Sequence, residues 1–299
     1  MAFFARNILA QTISNCNDKS TVMYRNPGYR QLCGESNSDR IIGGIDANIG
    51  QFPWLARLGY ANLKFDPNNI EYNCGGSLIT ECWVLSAAHC VTELSDSVYM
   101  AAIRLGEHNT HTPVDCSYSV CADLTQDFRP SRILIPQSYG KSPYRHDISL
   151  IKLHKPARIT RWVQPICLPV GDLLKKHYIG ARAEVAGWGL VNSQNDMYVP
   201  ILQTVRLPIL PNQICTEAFK NKVKVDQMQM CIGGEIGYDS CGGDSGGPLM
   251  KVDVVTYPKY YIVGIVSFGI KDCGRREVPA VYTRVAKYMK WILDNLTAC

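Results

Sequence analysis

The ten residues Asp239-Ser240-Cys241-Gly242-Gly243-Asp244-Ser245-Gly246-Gly247-Pro248 constrain this chain more than any other stretch. Four glycines in ten positions free the backbone to take conformations other residues resist, so Ser245 can stand on a tight turn with bare N–H groups beside it. That is the make-up of an acyl-transfer site. A serine hydroxyl becomes a useful nucleophile only when a base takes its proton, so the stretch predicts a histidine and an orienting carboxylate elsewhere. Both have recognisable settings: His89 in Trp83-Val84-Leu85-Ser86-Ala87-Ala88-His89-Cys90, and Asp147 in His146-Asp147-Ile148-Ser149-Leu150-Ile151-Lys152-Leu153. Each has an ordinary reading alone, as a glycine-rich turn, a core histidine or a strand-edge carboxylate. The three together do not.

The 299 residues, 46% of them hydrophobic, suffice for one large β domain or two medium ones. Short runs rich in Val, Ile, Leu, Tyr and Trp recur between turn clusters such as Asp66-Pro67-Asn68-Asn69 and Pro136-Gln137-Ser138-Tyr139-Gly140, a pattern that predicts antiparallel strands. Val285, Tyr288, Met289, Ile292 and Leu296 fall at helical spacing, so the chain should close with one amphipathic helix. No apolar run reaches the roughly 18 residues of a membrane helix. A net charge of +5 is mild and gives no reason to expect nucleic acid as a partner. Thirteen cysteines point to an oxidising compartment, hence a secreted, extracellular protein. The apolar run Met1-Ala2-Phe3-Phe4-Ala5 is broken by Arg6-Asn7 before a signal-peptide core forms, which suggests either a truncated or mispredicted start or a genuine but weak signal. Residues 11–40 are polar and without period and read as an extended pro-segment.

With the segments in the order His, Asp, Ser, residues 41–299 resemble a trypsin-like (chymotrypsin-fold) serine protease. The resemblance implies an all-β fold of two six-stranded antiparallel β-barrels, with the active site between them and a C-terminal α-helix. It implies two regions, residues 1–40 as pro-segment and residues 41–299 as protease domain. It assigns His89 as general base, Asp147 as its orienting partner, Ser245 as nucleophile, and the N–H groups of Gly243 and Ser245 as oxyanion hole. Asp239, six residues before the nucleophile, matches the carboxylate at the base of a pocket for Arg or Lys. Ser267-Phe268-Gly269 resembles the strand that pairs with the substrate backbone, and Ala280 stands where such pockets usually have glycine, its methyl narrowing the pocket. Arg40 followed by Ile41-Ile42-Gly43-Gly44 resembles an activation cleavage point, after which the Ile41 amine would pair with Asp244.

The same resemblance pairs the cysteines. It implies Cys74–Cys90 on the histidine loop, Cys215–Cys231 in the second barrel, Cys241–Cys273 at the substrate pocket, and Cys33–Cys167 tethering the pro-segment after cleavage. A further disulfide common in the family is missing, with Ala183 and Lys251 at its places. Cys116 and Cys121 lie five apart in an inserted loop and would close a small ring, as in arthropod clip-type cascade proteases. Cys82 would join Cys299 if the last helix packs on the first barrel, leaving Cys16 over. The six cysteines of a complete clip domain are absent.

No cofactor is required by this chemistry. Calcium is the one ion the resemblance allows, as a structural ligand of the loop opening at Glu107. Asn295-Leu296-Thr297 is the single glycosylation sequon. The expected function is a zymogen-activated endopeptidase of an extracellular cascade of the immunity or clotting type. Its partners would be a protein substrate, itself another zymogen, an upstream activating protease and a serpin-type inhibitor. The alternatives are a digestive or venom trypsin-like protease, or a regulatory binding homologue, which a replaced triad residue would mark.

Overall fold

The computed structural model describes residues 33–37, 46–141, 145–189, 199–220, 222–235, 243–254, 258–269 and 278–299. Arg40, Ile41, Asp239, Cys16, Cys241 and Cys273 lie outside these residues.

The first half forms a sheet in the order β7-β4-β1-β2-β3-β9-β8. Its strands are β1 (Leu55–Asn62), β2 (Asp66–Thr80), β3 (Trp83–Ser86), β4 (Val98–Leu105), β7 (Gln126–Phe128), β8 (Pro130–Leu134) and β9 (Ser149–Leu153), with β5 (Cys116–Ser117) and β6 (Val120–Cys121) as a separate hairpin. The seventh strand is a sixth one bent in two. β7 pairs with β4 at one edge, β8 with β9 at the other, and only Arg129 separates them. Pro130 has no N–H for a ladder, and Arg129 turns its own N–H to the His154 ring at 3.0 Å, so the strand folds over and joins the two edges.

The second half is a closed barrel in the order β10-β11-β12-β15-β14-β13. Its members are β10 (Arg182–Gly187), β11 (Gln203–Leu210), β12 (Gln229–Gly233), β13 (Pro248–Val254), β14 (Pro258–Phe268) and β15 (Pro279–Arg284). Every ladder pairing in both barrels is antiparallel. β10 and β13 pair at Glu184–Met250 and Val185–Leu249, and just beyond that pairing the Lys251 ammonium donates to the Arg182 carbonyl at 2.9 Å.

Trp54 holds the barrels together. It is fully buried, its indole N–H faces the Met250 sulfur at 3.0 Å, and its ring lies 5.3 Å from that of Tyr260 in the other barrel. The chain ends in a 3₁₀ turn, Val285–Tyr288, leading into an α-helix, Met289–Asn295, which bury Val285, Tyr288, Met289 and Ile292 on the first-barrel core. Beyond it the Trp83 indole donates to the Thr297 carbonyl at 3.0 Å, and Cys299 is joined to Cys82. Among the described residues no helix is long and apolar enough to cross a membrane.

Candidate active site

β3 and β9 run antiparallel with Ser86 opposite Ser149. The chain leaving β3 and the chain entering β9 therefore meet at one edge, three residues from Ser86 to His89 and two from Asp147 to Ser149. His89 opens a one-turn helix, α1 (His89–Thr92), that the Cys74–Cys90 disulfide clamps to β2. Asp147 is buried, 4% exposed, and one carboxylate oxygen accepts the His89 backbone N–H at 2.9 Å while the other meets His89 Nδ1 at 2.8 Å. Burial works against the carboxylate, yet the His89 bonds and charge, with the Ser267 bond, overcome it and hold the Asp147 pKa below the ordinary range. Burial likewise works against the imidazolium, but the bond and charge of Asp147 prevail, and the His89 pKa lies above the ordinary histidine value.

Ser245 comes to the same cleft from the other barrel, and His89 and Ser245 line it together. Its loop is docked by three backbone bonds: Gly75 N–H to the Ser245 carbonyl at 2.7 Å, Gly246 N–H to the Val266 carbonyl at 2.9 Å, and Val266 N–H to the Gly247 carbonyl at 3.0 Å. A Cβ on Gly75 would come within 3.3 Å of the Gly247 Cα, so glycine at position 75 lets the strand and the loop approach this closely. Gly243 has φ +100, a left-handed backbone that turns the loop ahead of Ser245. Asp244 accepts the Gly189 N–H at 2.9 Å. Cys74, His89 and Cys90 cluster as metal ligands might, but the two sulfurs are bonded to each other and supply no thiolate.

The substrate-side residues divide. Phe268 is partly buried, its ring 5.6 Å from that of Phe219, and Ala280 is buried with its methyl facing Gly269. Ser267 turns its hydroxyl inward and donates to Asp147 at 2.5 Å, a contact the sequence reading did not assign. Thr283 is a second such residue, its hydroxyl donating to the Asp147 carbonyl at 2.7 Å. His146, at φ +59, sets its ring 3.1 Å from the Tyr288 hydroxyl and pins the aspartate loop to the C-terminal segment. Neither the motif that Ser267 opens nor a hydroxyl residue in a mostly apolar strand, as at Thr283, signals a bond to Asp147.

Among the described residues, five disulfides join Cys33 to Cys167, Cys74 to Cys90, Cys82 to Cys299, Cys116 to Cys121 and Cys215 to Cys231. Residues 33–37 are also held by hydrogen bonds, from Gly34 N–H to the Pro165 carbonyl at 2.8 Å and from Tyr260 N–H to the Gly34 carbonyl at 2.9 Å.

The Glu107 carboxylate, where the resemblance allows calcium, is engaged within the protein. That carboxylate is buried, accepts the His108 N–H at 3.1 Å and meets the Arg104 guanidinium at 3.5 Å. The facing carboxylate, Asp115, has its oxygens taken by the N–H groups of His108 and Asn109, each at 3.0 Å, and by the Thr112 hydroxyl at 2.5 Å. Calcium takes six to eight oxygens, and here a guanidinium already supplies the positive charge. Asn295 is also engaged, its side-chain amide donating to the Trp291 carbonyl at 2.8 Å.

Residues 41–292 match the protein-family model described as Trypsin. The chain is 38% identical over 275 residues to the CLIP domain-containing serine protease HP8 of Bombyx mori, covering 89% of this chain and 72% of that protein. It is 37% identical over 283 residues to the Spaetzle-processing enzyme of Drosophila melanogaster, covering 90% and 69%. Phenoloxidase-activating enzyme 1 of Spodoptera litura is 38% identical over 278 residues, covering 91% and 71%. Among solved structures, the crystal structure of the Drosophila Grass clip serine protease of the Toll pathway matches with a TM-score of 0.80 and 33% identity, over 93% of this chain and 77% of that one.

Proposed function

The chain belongs to the trypsin family of serine proteases, and from that premise we propose that it is an extracellular endopeptidase, activated by cleavage after Arg40, that cuts protein substrates after Arg or Lys. The observation that carries this reading is the His89–Asp147 pair at 2.8 Å in the cleft that Ser245 enters from the second barrel. Ser245 attacks the peptide carbonyl as His89 Nε2 takes its proton. Asp147 holds the Nδ1–H tautomer and offsets the positive charge that His89 gains. The N–H groups of Gly243 and Ser245 receive the oxyanion, and His89 returns the proton to the leaving amine. Water then releases the acyl group by the same route.

Asp239 is the residue proposed to select the basic side chain, since a carboxylate in a water-poor pocket is costly until a cation enters. Cleavage after Arg40 frees the Ile41 amine to pair with Asp244, the neighbour of the nucleophile, and so to align the Gly243 loop. Cys33–Cys167 would keep the severed segment attached. The printed names of the relatives, a Spaetzle-processing and a phenoloxidase-activating enzyme, support a place in an arthropod cascade whose substrate is another zymogen. An upstream protease would make the first cut, and a serpin-type inhibitor would end the activity. The test is a panel of peptide amides differing only in the residue before the cut. The cleaved protein is expected to hydrolyse the Arg and Lys members and Ser245→Ala to hydrolyse none; activity in Ser245→Ala would end this reading.

A further inference from the structure

The cleft that holds His89 and Ser245 is lined further along by Tyr60, Asn62, Phe65, Asp66, Glu71 and Glu93. Its direction relative to a substrate follows from proton transfer. The leaving amine must reach the proton on His89, so the segment downstream of the cut lies on the His89 side of Ser245. That side is bounded by the Cys74–Cys90 disulfide, by Leu94 and by the β1–β2 hairpin.

The lining has two parts. Tyr60, buried and held by its hydroxyl to the Cys90 carbonyl at 2.9 Å, forms an apolar floor together with Leu94. Around it stand three carboxylates, Asp66, Glu71 and Glu93, and no lysine or arginine is among the described lining residues. Glu93 is near enough to the reacting groups for its charge to help hold the His89 imidazolium. Leu63 and Phe65 are 63% and 87% exposed at the tip of the hairpin.

Resting on the endopeptidase reading above, we propose that this half of the cleft is a specificity site for an Arg or Lys side chain two or three residues downstream of the scissile bond. The aliphatic stem lies on Tyr60 and Leu94 beside Phe65, and the charge is held by Glu71 and Glu93. A basic side chain is the one type that matches both an apolar floor and an acidic rim. In the chain's own segment after Arg40 the second and third residues are Ile42 and Gly43, which offer the rim no cation.

The experiment uses internally quenched peptides that are identical up to the cut and carry Arg, Ala or Glu at the second and third downstream positions. An Arg anilide, which has no downstream residues, runs beside them. Each partly exposed carboxylate contributes about 2- to 5-fold, so the cleaved protein should favour the Arg peptide over the Glu peptide by roughly 10-fold in kcat/KM. In the double variant Glu71→Gln, Glu93→Gln that ratio should fall to about 2-fold or less. The ratio is taken within one variant, so any effect of Glu93 on His89 cancels. Equal cleavage of the Arg and Glu peptides with the anilide hydrolysed overturns this inference alone. A preference that survives the double variant also overturns it, because the carboxylates would not be the selectors. Hydrolysis of neither the anilide nor the peptides overturns the endopeptidase reading with it.

Discussion

Replacing Asp147 by asparagine tests the centre of the mechanism while keeping its shape. The carboxylate accepts from both the His89 backbone N–H and His89 Nδ1, one oxygen each. An amide has one oxygen. If that oxygen keeps the backbone N–H, the amide NH₂ faces Nδ1 and forces Nδ1 to accept. The ring proton then sits on Nε2, where His89 can no longer take the Ser245 proton. If the amide turns over, two N–H donors face each other at 2.9 Å and the loop is strained. The lost charge adds to this. At a charge separation of about 4 Å and an effective dielectric near 20, Asp147 stabilises the imidazolium by roughly 4 kcal/mol, or about 10³-fold in rate. With the tautomer loss on top, kcat/KM for an Arg anilide should fall on the order of 10⁴-fold, as for the same triad elsewhere.

The pH profile gives a second readout. His89 must be neutral to act as base, and Asp147 raises its pKa, so wild-type kcat/KM should fall as pH drops through a value above the ordinary histidine one. In Asp147→Asn the acid limb should move to lower pH, because burial remains and the partner charge does not. Thermal denaturation would check that the variant folds. A folded variant that retains more than a tenth of wild-type activity with an unmoved acid limb would refute the orienting role of Asp147.

Other perturbations address single contacts. Ser267→Ala leaves Asp147 both His89 bonds and should change kcat/KM by less than 10-fold, but it removes a hydrogen bond to a buried charge and should cost about 1.5–3 kcal/mol in chemical denaturation at neutral pH. Because the folded Asp147 pKa is depressed, the stability this carboxylate contributes is present above its unfolded value and is lost as pH falls through the folded one; in Ser267→Ala the acid transition should begin at higher pH. Gly189→Ala would drive a Cβ into the Asp244 carboxylate that accepts the Gly189 N–H, so it should lower kcat more than it lowers melting temperature. Removing both Cys82 and Cys299 opens a 217-residue span and should cost about 2–5 kcal/mol in urea titration with activity retained at low temperature. Arg40→Gln should leave a folded protein that an Arg-specific protease cannot switch on, and full anilide activity in that variant would contradict the activation step.

Much of this molecule is local enough to read from the chain. A nucleophile turn needs glycines beside the serine, strands alternate with turn clusters, and the helical spacing from Val285 to Ile292 marks the closing segment, although its first turn is 3₁₀. The bend at Arg129 that folds the sixth strand of the first barrel was not legible, because it depends on a bond to His154, 25 residues away. Calcium at Glu107 was an expectation from the loop sequence; the Arg104 guanidinium meets that carboxylate from only three residues upstream, while Asp115 faces it because the loop folds back. Ser267 and Thr283 reach Asp147 across 120 and 136 residues, and Glu71 and Glu93 share a cleft only because a hairpin and a one-turn helix are folded side by side. The residue types that carry the chemistry are set by the sequence alone, since a nucleophile, a base and a carboxylate have few substitutes. Their burial, partners and charge environment are set by tertiary structure, because those depend on which distant segments exclude water from the same place.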